Sequence, residues 1–188
     1  MTLWEFSLSI YSKTGVADAC LTLQNRFGCD VNLLLHALWL ADQGCGLSTE
    51  QREETLALCT RWRQGVVQAL RSIRTDMKTW PENGILKEFS LREDFESLRT
   101  QIKLVELEAE RHQQLVIESL YTRQDLPADL ELDYFLGYLS ALISDLQLGP
   151  AALADETQRD LARLISQVAS GVSVEFGLRV ERALSLGT

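Results

Sequence analysis

Apolar residues return every three or four positions along most of this chain, the interval that lines one face of an α-helix. Leu3, Trp4, Phe6, Leu8, Ile10 and Tyr11 make a first short helix over 2–12, ended by Thr14-Gly15. Val16, Cys20, Leu23 and Phe27 share a face of a second, from Val16 to about Phe27, and Gly28 suits the position just past its end. Asp30 reads as the N-cap of a third helix, Val31 to about Gln43. That helix is apolar almost all round, which predicts the buried centre of the fold. Gly44-Cys45-Gly46 closes it, and Ser48 with Gln51 three residues on predicts a capping box for the fourth.

From there Cys59, Trp62, Val66, Ala69, Ile73 and Met77 or Trp80 keep the three-four alternation of a heptad seam. Trp80 to Gly84 reads as a turn, since Pro81 cannot continue a helix and Asn83-Gly84 tolerates positive φ. Ser90, with Glu93 three residues later, caps a fifth and longest helix whose seam reads Leu91, Phe95, Leu98, Ile102, Val105, Ala109, His112, Val116. Two seamed helices with a short connection predict a long antiparallel helical hairpin, coiled-coil-like in its contacts.

Arg123 to Pro127 marks the best boundary, so 1–122 is expected to be a helical core with its hairpin and 123–188 a C-terminal helical segment packed on the same domain. Leu130 to Leu148 carries Tyr134, Phe135, Tyr138, Leu142 and Leu146 on one stripe. Gly149-Pro150 breaks it, and one helix, or two joined near Gly171, covers the remainder. No strand is expected. The fold class is all-α, a helical bundle of about seven helices.

Composition agrees. At 46% hydrophobic the chain holds enough apolar side chains for a core, and three prolines leave room for long helices. The net charge of −9 argues against a general polyanion binder. Residues 61–103, however, carry 9 basic against 6 acidic groups, the one net-positive stretch. Cys20, Cys29, Cys45 and Cys59 form no C-x-x-C pair, so free and mostly buried thiols in a reducing compartment are expected, not zinc or disulfides. The start, Met1 to Phe6, has no basic segment and no long apolar core. The longest apolar run, Val31 to Ala41, is too short to span a bilayer. A cytoplasmic protein without membrane contact is expected.

A string of residues runs through the first two thirds: Trp4-x-Phe6-Ser7-Leu8, Gly15-Val16, Cys20-Leu21-x-Leu23-Gln24, Asp30-Val31-Asn32-Leu33-Leu34-Leu35, Trp39-Leu40, Trp62-Arg63-x-x-Val66-Val67 and Glu106-Leu107-x-Ala109-Glu110-Arg111. It resembles a family of uncharacterised bacterial proteins known only as a domain of unknown function, over about residues 3–115. The resemblance implies a bacterial cytoplasmic protein and supplies no reaction, cofactor or site.

Nucleotide-binding glycine loops are missing, as is the α-β alternation they need. Gly171-Val-Ser173-Val-Glu175 lacks the last glycine of a nucleophile elbow and follows no strand. Asn32, His36 and Gln43 make a polar stripe on the apolar third helix. Either it is a hydrogen-bonded strip in the core, or Asn32, His36 and Trp39 line a small-ligand pocket. Glu108 and His112 have Glu-x-x-x-His spacing, not the Glu-x-x-His of helical metal sites, and no second copy exists.

Arg71, Arg74, Lys78 and Lys87, with Arg92, gather at the expected hairpin tip around Trp80. Three readings stay open for that tip. It is solvated and self-paired, or it docks a protein through Trp80 and the arginines, or it contacts phosphates. The leading expectation is a non-enzymatic interaction or adaptor protein with an unidentified protein partner, no cofactor and no catalytic or metal residues. A homodimer burying the seam is an open alternative. So are an RNA, tRNA or ribosome contact through the basic tip, and a small-ligand or metal-binding enzyme.

Overall fold

The computed structural model describes residues 1–79, 92–120, 124–126, 130–145 and 155–186. Its helices are α1 (Leu3–Tyr11), α2 (Val16–Phe27), α3 (Val31–Asp42), α4 (Thr49–Trp62), α5 (Gln68–Asp76), α6 (Arg92–Ser119), α7 (Glu131–Asp145), α8 (Asp155–Ala169) and α9 (Val174–Leu186). A π turn, Arg63–Val67, joins α4 to α5 in one rod, so the described residues form eight helical rods, the last two meeting near Gly171, the two-helix alternative for the C-terminal stretch. The fold is all-α. Among the described residues the one strand pairing is a two-residue antiparallel ladder, Cys45 opposite Asp125 and Gly46 opposite Gln124, where no strand was expected.

The helix starts are where the sequence chemistry puts them. Asp30 Oδ1 accepts from Asn32 N at 3.0 Å and from Leu33 N at 3.3 Å. Ser48 and Gln51 form a reciprocal capping box, and Thr2 and Glu5 form another that the apolar pattern does not announce. Gly28 ends α2 with φ 69°, in the left-handed region that glycine adopts without steric cost.

α3 is the central helix. Every residue from Leu33 to Ala41 is buried, and α1, α2, α6 and α7 pack around it. The C-terminal helices join the same core: Leu161, Ile165, Val168, Phe176 and Val180 lie in one cluster with Leu3, Leu23 and Leu34.

The heptad seams are corrected in two ways. In the rod from α4 to α5, Ala69 and Ile73 are exposed, while Leu70 and Arg74 turn inward in their place. The π turn is the cause: a single wide i→i+5 turn adds about one residue to the helix and advances the inward face by one position. In α6 the seam divides. Phe95, Ile102 and Ala109 face the bundle, whereas Leu98, Val105, His112 and Val116 face solvent.

α5 and α6 run antiparallel where they touch, since Trp62, Arg71 and Arg74 meet Ala109, Glu106 and the Arg99 side chain in descending order. The connection over 80–91, including the expected turn and the Ser90 cap, lies outside the described residues, as does the Gly149-Pro150 break.

Candidate functional site

A cleft of about 510 Å³ opens between α1, α2, α3, the π turn, α5 and α6. Its floor is polar and internally bonded. The Ser7 hydroxyl donates to Gln114 Oε1 at 3.1 Å, and Gln114 Nε2 donates to Asn32 Oδ1 at 2.8 Å. Asn32 Nδ2 donates to Gln113 Oε1 at 2.8 Å, and Gln113 Nε2 donates to Asp30 Oδ2 at 3.1 Å. Every donor in this relay points toward Asp30, which also caps α3. Burial pushes the Asp30 carboxyl up, opposed by the bonds from Gln113 and Leu33 N–H and by the nearby Arg63 charge. Aligned donors of this kind polarise one another, so the relay fixes α1, α3 and α6 as a unit.

One flank is an ion-pair cluster set by the π turn. Glu106, 4% exposed, accepts from Arg71 Nε at 2.8 Å and from Arg74 Nε at 2.5 Å. Burial works against its charge, but the bonds from Arg74 and Arg71 outweigh it and hold the carboxyl below the usual range. Arg71 Nη2 reaches on to Glu110 at 3.2 Å, on the cleft wall. There burial wins over Arg71 and pushes Glu110 up to about 7. Arg63, inside the π turn, donates to the Gly28 carbonyl at the end of α2.

The mouth is apolar. Leu8, Leu21 and Leu107 line it and are each about half exposed, with Trp4 and Tyr11 beside them. Arg111 lies 5.8 Å over the Trp4 ring and steadies that edge.

The predicted pocket residues separate. Asn32 lines the cleft, but His36 and Trp39 are buried away from it. His36 Nδ1 is 3.1 Å from Tyr138 Oη, and Trp39 Nε1 donates to the Met1 carbonyl at 3.2 Å. Of the tip cations, Arg71 and Arg74 are held by Glu106, and Lys78 is exposed. Trp80 and Lys87 lie outside the described residues.

His112 is exposed, its Nδ1 2.8 Å from the carbonyl of Glu108 on its own helix. Among the described residues no group of three or more His, Cys, Asp or Glu is placed to hold a metal ion. All four cysteines are free, with Cys20, Cys29 and Cys59 buried. None of the described helices is long and apolar enough to cross a membrane.

Sequence reasoning did not single out Ser7, Arg63, Gln113, Gln114, Glu106 or Glu110 for this site. The available signal was two adjacent glutamines on the face of α6 that carries Ala109 and Ile117. A polar pair there implies partners, because buried amides are hydrogen-bonded.

Residues 2–117 match a family described as proteins of unknown function (DUF2390), a span that holds all the cleft residues. No curated protein and no solved structure matches the chain.

Proposed function

We propose, for this chain, which belongs to the family of proteins of unknown function DUF2390, a non-enzymatic role as an interaction protein that recognises a protein partner through the cleft. The observation that carries this is the mouth. Leu8, Leu21 and Leu107 stand about half exposed around a recess of about 510 Å³. A ligand contained in the recess would leave those leucines wet. A partner that drops one apolar anchor into the recess and lies across the rim buries both, the arrangement of an interface hot spot with its excluding ring. The floor supports binding over chemistry, because its amides and carboxylates are bonded to one another.

The basic-tip reading loses support. Arg71 and Arg74, two of its named cations, are bound to Glu106, which leaves a smaller cationic field for phosphates.

Capture from native cytosol tests the proposal, with half the sample treated with nuclease. The wild type is compared with the double variant Leu21→Glu, Leu107→Glu. The expected result is a protein retained by wild type in both halves and lost from the variant, with the variant's circular dichroism unchanged. Material that disappears on nuclease treatment, or that the variant retains, would overturn it.

A further inference from the structure

The charges that line the cleft do not all cancel. Asp30 and Glu110 line it on the acidic side, and Arg63, Arg71 and Lys103 on the basic side. Asp30 accepts from Asn32 N, Leu33 N and Gln113, and the Arg63 charge lies beside it. Glu106 and Glu110 together hold Arg71 and Arg74. Lys103 is left over. It is exposed, it lines the cleft, and among the described residues it has no ion pair. A chain of net charge −9 therefore presents an unpaired cation in this one recess. Near neutral pH the balance tilts further, because burial pushes Glu110 up to about 7 and leaves it partly protonated.

Helix α6 sets the order of these groups. Lys103, Leu107, Glu110 and Gln114 recur every three or four residues and share its cleft face. The cation thus lies at one end, the exposed Leu107 about 6 Å along at 1.5 Å per residue, and the amide floor beyond it. We infer that the partner segment taken up by the cleft carries an aspartate or glutamate close to its apolar anchor, and that this carboxylate pairs with Lys103 while the anchor sits among Leu8, Leu21 and Leu107. The inference rests on the cleft being the recognition site. A side chain, not a chain end, supplies the carboxylate, because a segment that covers leucines from three helices crosses the mouth and continues on both sides. A basic anchor would find no unengaged acid, since Asp30, Glu106 and Glu110 each already hold a hydrogen bond or ion pair. An ion pair at the rim of an apolar contact selects among partners more than it adds affinity.

Selection from a displayed library of short random peptides on the full chain tests this at pH 7, with Ala17→Trp as the counter-target. Peptides held by wild type and not by Ala17→Trp should carry Asp or Glu within about four residues of an aliphatic or aromatic residue, one helical turn or a short extended stretch. In fluorescence anisotropy, changing that acid to its amide should weaken binding about threefold or more, and Lys103→Glu should weaken it as much. The same peptide with Lys in place of the acid should bind Lys103→Glu more tightly than wild type. If Ala17→Trp does not fold, Leu21→Trp at the exposed mouth takes its place. Cleft-dependent peptides that lack an acid, or that bind equally in acidic and amide forms, overturn the inference and leave the cleft as the recognition site. A library in which nothing distinguishes wild type from the blocked variant overturns the cleft as the site, and the inference with it.

Discussion

Glu110 gives the most quantitative prediction. Its carboxyl titrates near 7 in the folded protein against 4.5 for an ordinary glutamate, chiefly because the cleft wall buries it. A raised carboxyl pKa means that the folded state holds the proton more tightly than the unfolded state. Its contribution to stability is therefore fully present below pH 4.5 and declines as pH rises to 7, after which it is constant.

At about 1.4 kcal/mol per pH unit, that interval sets an upper bound of about 3.5 kcal/mol. The side chain is 25% exposed and touches Arg71, so solvent and that contact reduce the figure to about 1.5 kcal/mol. Glu110→Gln removes the titration and nearly keeps the shape. Relative to wild type it should be about 1.5 kcal/mol more stable at pH 8 and within about 0.5 kcal/mol at pH 4. Urea unfolding followed by circular dichroism at pH 4, 5, 6, 7 and 8 measures this. A difference that does not vary with pH, or a variant less stable at pH 8, would refute the burial of the charged form.

Three further outcomes follow from the packing. Asn32→Leu removes the middle of the relay and strands Gln113 Oε1 and Gln114 Nε2, so it should cost about 2–3 kcal/mol in chemical denaturation. A cost under about 0.5 kcal/mol would mean that the amides find other partners. Gly177→Ala should destabilise α9 by about 2 kcal/mol even though alanine is the better helix former, because the new Cβ would lie 2.9 Å from Ser170 Cα; a thermal melt shows the sign. Native thiol titration at pH 7.5 should find one fast cysteine, Cys45. Burial pushes Cys20 up to about 11 and Cys29 and Cys59 up to about 12, which keeps them as protected thiols until the protein unfolds.

Much of the fold was legible because local rules and tertiary packing agree. Asp30 capping α3, Gly28 ending α2, the Ser48-Gln51 box and the apolar sweep of α3 all follow from side-chain chemistry within a few residues. The seams were legible only in part. A period counts spacing along one helix, and the π turn at Arg63–Val67 changes that spacing without any strong local marker; Gly65 is its one weak sign.

The same shift decides the site. It brings Arg74 inward to Glu106, where an unbroken α-helix would have placed Ile73. Of the cleft, Asp30, Asn32 and Arg71 drew attention in the sequence, each for another reason, while the partners that make a floor of them, Gln113 and Gln114 of α6, lie more than 70 residues from Asn32 along the chain. Exposure also misleads on a helix such as α6. An apolar column spaced for a partner reads the same whether that partner lies in the chain or in a second molecule.

The central claim is that the cleft recognises a protein. It is tested most directly by measuring the affinity of the captured partner for three proteins: the wild type, Ala17→Trp and Leu104→Glu. Ala17 lines the cleft, and an indole there obstructs part of it, whereas Leu104 lies on the outer face of α6. The account predicts binding at least tenfold weaker for Ala17→Trp and unchanged for Leu104→Glu. Equal binding by wild type and Ala17→Trp would contradict it and move the recognition surface off the cleft.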